Sequence, residues 1–248
     1  MSSPDAQHRL LSFEIHRQPD DTTCGPTCLH AVYRYWGQDV GLTDLVAGVP
    51  ALEDGGTLGV LLALDALRRG YAATLVTWNL RVFDPTWFEP GAPPLRERLE
   101  QRAEAKRANP KLRTAALAYV QFLDAGGRIE FRDLGPDLLR EALAARVPLL
   151  TGLSATFLYR EARQRPTDDV TDDIAGDPVG HFVVLTGYDP AAHEVFVSDP
   201  MHPNALSETH TYPVPVERLI GAIYLGVLTY DANLIRIEPS PGSGAGAR

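Results

Sequence analysis

The sequence predicts an α+β protein, with helices gathered early and antiparallel strands late in the chain. Three observations predict this. Leu29, Val32, Tyr33 and Trp36 recur at helical spacing behind a turn-rich stretch, QPDDTTC. A second apolar pattern, LGVLLALDALRR (58–69), ends at Gly70 and hands over to a strand-like run, YAATLVTW. Late in the chain, HFVVLTGYD (181–189) and EVFVSDP (194–200) flank a turn at Pro190-Ala191-Ala192, which is the pattern of an antiparallel hairpin.

Taken in order, residues 10–16 (LLSFEIH) read as a short strand or an extended lead-in. The loop QPDDTTCGPTC passes into a helix from Cys24 to Trp36, with Gly37 as its stop. Residues 43–48 predict a short helix capped by Thr43, followed by the 58–69 helix and the 71–78 strand. Residues 94–107, rich in Glu, Arg and Ala, predict an exposed helix. Asn109-Pro110 breaks it, and 111–124 forms another. Ile129–Phe131 reads as a short strand, 136–146 as a helix with Pro136 in its first turn, and 148–153 as a buried strand. TDDVTDDIAGDP (167–178) is a loop. Residues 215–220 predict a short helix and 222–229 a last strand. The tail 238–248, EPSPGSGAGAR, has the composition of a disordered segment, so one domain over residues 1–237 is expected.

With 248 residues, 44% of them hydrophobic, the chain can bury a core without disulfides. The 23 Lys and Arg against 32 Asp and Glu leave a net charge of −9, which argues against nucleic acid and anionic membranes as partners. The only cysteines, Cys24 and Cys28, lie one helical turn apart and do not make a secreted disulfide framework. No leader pattern and no apolar span near 20 residues is legible, so a cytoplasmic protein with free thiols is the expectation. Composition leaves the oligomeric state open.

Cys24 stands where the loop meets the helix, and a helix N-terminus favours a thiolate there. Gly25 would let a substrate backbone approach, and Pro26 suits a first helical turn. Gln18, six residues upstream, offers an amide donor for an oxyanion, with the Cys24 backbone N–H as the second donor. Cys28 reads as core packing. Among seven histidines, His181 stands out because it follows Gly180 and opens an apolar strand. A five-residue hairpin connection (188–192) sets His181 opposite Asp199. A two-residue shift makes them diagonal on the same face, and an odd shift separates them. In the first two cases Asp199 orients the ring while the other nitrogen serves Cys24. Read by themselves, this His and Asp fit a structural hairpin cap better than they fit catalysis.

Gln18-x5-Cys24-Gly25-Pro26, Gly180-His181-Phe182-Val183-Val184 and Ser198-Asp199-Pro200 together resemble cysteine-peptidase family 39, the bacterial papain-like peptidases that remove double-glycine leaders in bacteriocin export. The resemblance covers roughly residues 10–80 and 145–230 and implies a papain-like fold. It also implies Cys24 as nucleophile, His181 as base, Asp199 as its orienter and Gln18 in the oxyanion hole. Relative to that pattern, residues 81–140 read as a helical insertion, and the lack of a membrane segment marks a stand-alone relative.

The expected activity is cleavage of a peptide or peptide-like amide through an acyl-enzyme, without a cofactor. The alternatives are acyl transfer to an amine by the same thiol, and a non-catalytic peptide-binding module. There is no HExxH and no CxxC to support a metal site. Asp168, Asp169, Asp172, Asp173 and Asp177, just before His181, suggest an acidic lid for amine-bearing substrates, or else a solvated loop. Trp78 reads as core, while Phe83 and Trp87 are weak cleft candidates.

Overall fold

The protein is described from a computed structural model covering residues 9–52 and 55–240. Its first long helix, α1 (Cys24–Tyr35), starts and ends close to where the sequence sets it. Pro26 occupies the first turn, where a missing N–H costs no helical hydrogen bond. Gly37 takes φ +81 and donates its N–H to the Arg34 carbonyl, closing the helix. Every residue from Cys24 to Tyr33 is buried, so α1 is a central helix.

Helices α2 (Leu42–Gly48) and α3 (Gly59–Arg68) follow. The cap of α2 is Gly41, and Thr43 lies inside the helix rather than before it. Strand β2 (Tyr71–Thr77) leads to α4 (Leu95–Ala105), α5 (Pro110–Asp124), β3 (Arg128–Glu130) and α6 (Pro136–Ala144). The Asn109 side chain accepts from Leu112 N–H and so starts α5. The 81–140 stretch is built into the molecule. Tyr119 and Phe122 of α5 are buried in the same cluster as Leu29 and Val32 of α1, and β3 pairs with β2.

One mixed sheet runs β3-β2-β8-β4-β5-β6-β7, from β4 (Leu149–Ser154), β5 (Gly180–Asp189), β6 (Glu194–Ser198), β7 (Thr211–Pro215) and β8 (Asn233–Pro239). A two-residue strand, β1 (Arg9–Leu10), pairs with the far end of β5. Among the described residues the strands pair antiparallel except β2 with β3.

The chain's end departs from the sequence reading. Residues 222–229 are not a strand: they finish helix α8 (Val216–Leu225) and a 3-10 turn, Gly226–Thr229. Val216, Leu219, Ala222 and Ile223 are buried at helical spacing, which decides between the two. The last strand is β8, which sits between β2 and β4. Glu238 and Pro239 therefore pair with Ala72 and Tyr71 rather than opening a tail, and residues 241–248 lie outside the described part.

Apolar side chains form two clusters on opposite faces of the sheet. One packs α1, α3 and α5 against Leu75, Leu150, Phe182, Val184 and Ile235. The other packs α6, α8 and the short helix α7 (Ala155–Tyr159) against Val183, Leu185, Val195 and Val197. Among the described residues no helix is long and apolar enough to cross a membrane.

Candidate active site

The thiol and the imidazole meet at the seam between the two clusters. Cys24 is the first residue of α1 and is 8% exposed. Its thiol lies beside the ring of His181, the second residue of β5, which is buried. The other side of that ring, Nε2, lies 2.8 Å from Asp199 Oδ1, which leaves Nδ1 for the sulfur.

A β-bulge brings His181 and Asp199 to one face. Next to the turn, Tyr188 opposes Val195 and Gly187 opposes Phe196; beyond it, Leu185 opposes Val197 and Val184 opposes Ser198. Thr186 is the extra residue. Continued one step, the second register sets Val183 against Asp199, so His181 is the diagonal same-face neighbour. The Thr186 hydroxyl lies 3.0 Å from Ser198 Oγ, and its carbonyl accepts from Leu11 N–H at 2.7 Å, which anchors the bulge on both sides.

Asp199 is fully buried and densely bonded. Oδ1 also accepts from the Met201 N–H at 2.9 Å. Oδ2 accepts from Tyr159 Oη at 2.6 Å, Tyr212 Oη at 2.5 Å and the Asn204 amide at 3.3 Å. His210 bonds the Asp199 backbone through both N–H and carbonyl. Burial works against the carboxylate, but the His181 charge and the phenol donors prevail and hold Asp199 below the usual range. Burial likewise disfavours a charged His181, yet Asp199 and Cys24 raise it to about 10. Tyr159 and Tyr212 are pushed up by burial and by the adjacent Asp199 charge, so both stay protonated donors.

Gln18 joins the site through its backbone: its N–H donates to Pro200 carbonyl at 3.0 Å, tying the N-terminal loop to the residue after Asp199. Its Nε2 donates one hydrogen to Asp20 carbonyl at 2.8 Å, while Oε1 is buried without a hydrogen-bond partner. Gly25 serves packing rather than substrate approach. A Cβ there would lie 2.8 Å from Thr57 Cγ2 and 3.2 Å from both Leu62 and Phe182. Cys28 is fully buried and donates to Phe182 carbonyl; burial pushes its thiol up. Trp78 is buried, and Phe83 packs on Tyr119 at 4.7 Å between ring centres, with Trp87 beside it.

In the acidic loop, Asp168 pairs with Arg165 at 2.6 Å, and Asp172 accepts from the Ile174 and Ala175 N–H groups. Those two carboxylates shape the loop itself. Among the described residues no three side chains suited to a metal converge. Sequence reading missed Tyr159, Tyr212, Asn204 and His210. Tyr159 lies 40 residues from its partner, and no local pattern marks it.

A thiol at a helix start, beside a histidine that bonds a buried carboxylate, on an α+β scaffold, is the arrangement that a papain-like cysteine peptidase requires. Residues 119–225, which hold His181 and Asp199, match the model of the Peptidase_C39 like family. A presumed C39-like peptidase from Bacillus anthracis superposes with TM-score 0.50 at 15% identity, covering 93% of this chain and 97% of that one. That likeness shows the fold alone. Xylellain, a cysteine protease from Xylella fastidiosa, gives 0.47 at 15% identity over 94% and 86% of the two chains. A double glycine motif protease from an AMS/PCAT transporter, in complex with its leader peptide, gives 0.44 at 12% identity over 93% and 94%. A comparison with curated proteins finds no match.

Proposed function

We propose that this protein hydrolyses a peptide or peptide-like amide through an acyl-enzyme, with Cys24 as nucleophile, His181 as base and then acid, and Asp199 as orienter. The observation that carries the reading is the buried His181–Asp199 pair, at 2.8 Å, with the Cys24 thiol beside the same ring. The Cys24 proton passes to His181 Nδ1, and the thiolate attacks the carbonyl carbon. As the tetrahedral intermediate collapses, the C–N bond breaks and His181 returns the proton to the leaving amine. Water, deprotonated by the same nitrogen, then releases the acid and the free thiol.

The Cys24 backbone N–H and the second hydrogen of Gln18 Nε2 are the donors proposed for the oxyanion. Losing one such donor costs about 100- to 1000-fold in rate. Residues 9–240 act as one catalytic unit on this reading, and two free thiols suit the reducing cytoplasm of a bacterium.

The test is digestion of a peptide library by wild type and by Cys24→Ala, with and without an added primary amine. New N-termini with wild type alone support hydrolysis. Amine adducts with wild type alone assign the acyl-enzyme to transfer. Cleavage by Cys24→Ala refutes the assignment. Absence of both products, together with unmodified Cys24 after mild iodoacetamide treatment, favours a peptide-binding module.

A further inference from the structure

Orienting His181 occupies one oxygen of Asp199. The other, Oδ2, is held by two phenols that orientation does not require: Tyr159 from α7 at 2.6 Å and Tyr212 from β7 at 2.5 Å. Both rings are buried. The two phenols reach the oxygen from different elements, and Asn204 adds a longer third contact.

A neutral donor stabilises a carboxylate most when the charge is bare, and less once an imidazolium already neutralises it. Two phenols on Oδ2 therefore favour the deprotonated His–Asp pair over the protonated one. They lower the pair's hold on its proton. A bare buried carboxylate would bind the imidazolium more tightly and make it a poorer acid, since a general acid works best near the working pH. We propose that Tyr159 and Tyr212 are positioning residues that share the Asp199 charge and thereby set how readily His181 releases its proton. The proposal rests on the catalytic reading of Cys24, His181 and Asp199 given above.

The titratable groups around Asp199 are few. Cys24 and Cys28 face it from α1, His181 from β5, Tyr159 from α7 and Tyr212 from β7. His210 bonds its backbone, with His202 packed at a tilt against that ring at 4.3 Å between centres.

The test is the pH dependence of iodoacetamide alkylation of Cys24 in the full chain, separated from Cys28 by fragment-ion mass spectrometry. Wild type is expected to show two steps, one as the thiolate–imidazolium pair forms and one as His181 loses its proton. In Tyr159→Phe and in Tyr212→Phe the second step moves up by about one pH unit. A second step that stays put or falls, in variants that melt like wild type, overturns the proposal. Packing alone would leave that step unmoved. Uniform 3-fluorotyrosine in the native sequence is an independent arm if a variant does not fold. It is a stronger donor of nearly the same shape, so the second step moves down, and an unmoved step overturns the proposal. A wild-type Cys24 with a single step near the ordinary thiol value of about 8.5 overturns the catalytic reading instead.

Discussion

His181 reaches Asp199 across a hairpin whose two halves are out of step by one residue. If the register beside the turn, with Gly187 opposite Phe196, continued unbroken, Val184 would oppose Asp199 and His181 would point to the other face of the sheet. Thr186 absorbs the odd residue. Deleting Thr186 removes that residue and leaves Leu185 opposite Val197 and Val184 opposite Ser198, so the pair is expected to stay on one face of a regular hairpin. At pH 6, alkylation of Cys24 should then stay close to the wild-type rate, far above that of an unactivated thiol. Circular dichroism checks that the sheet persists; a fall of about 100-fold in a folded deletion variant would show that parity alone does not govern the site.

The sequence made the importance of that parity legible without revealing the bulge. Cys24 at a helix start, His181 opening a strand and Asp199 closing the next are local signals. The bulge depends on tertiary partners, Leu11 on one side and Ser198 on the other, and no local signal carries them. The misread C-terminal region has a related cause. AIYLGVLT is a short apolar run, and such runs fit a buried helix as well as a strand. β8 was hidden because Glu238 and Pro239 merge with a Pro- and Gly-rich tail in composition, although they complete the pairing with β2.

Gly25→Ala separates packing from substrate approach. Alanine gains up to about 1 kcal/mol in helix propensity over glycine. Against this, the new methyl would sit 2.8 Å from Thr57 Cγ2, with Leu62 and Phe182 close behind, so Thr57 must shift. Overpacking of this kind costs about 1–3 kcal/mol, and the clash is expected to win. Urea unfolding should show a lower midpoint at unchanged slope. An equal or higher midpoint would mean that the site is roomier than its neighbours indicate.

The pair also predicts how stability follows pH. His181 is raised from 6.5 to about 10, so its contribution to stability is complete below 6.5 and is lost as pH climbs through about 10. Asp199 is held below 3.8, so its share is present above that value and is lost as pH falls below it. In Asp199→Asn the charge that raises His181 is gone. Its melting temperature should be lower than that of wild type at pH 6, and the gap should narrow by pH 10. A gap of constant size across that range would show that the ion pair carries none of the stability.

A second buried carboxyl acts in a different window. Asp231 lies against the start of α3, where Oδ1 accepts from Gly59 N–H at 2.7 Å. Burial pushes it from 3.8 up to about 7, and the Gly59 bond and the Lys111 charge offset this only in part. The folded protein therefore holds a proton there that the unfolded chain releases between pH 4 and 7. The associated stability is full below 3.8 and is lost as pH rises through about 7, at a cost of a few kcal/mol on the order of magnitude. Asp231→Asn keeps an oxygen for Gly59 and carries no charge to desolvate. Its extra amide hydrogens impose a penalty that does not depend on pH. Relative to wild type, the variant's melting temperature should thus improve steadily from pH 5 to pH 8. Equal differences at both ends of that range would place the ionisation of Asp231 outside it.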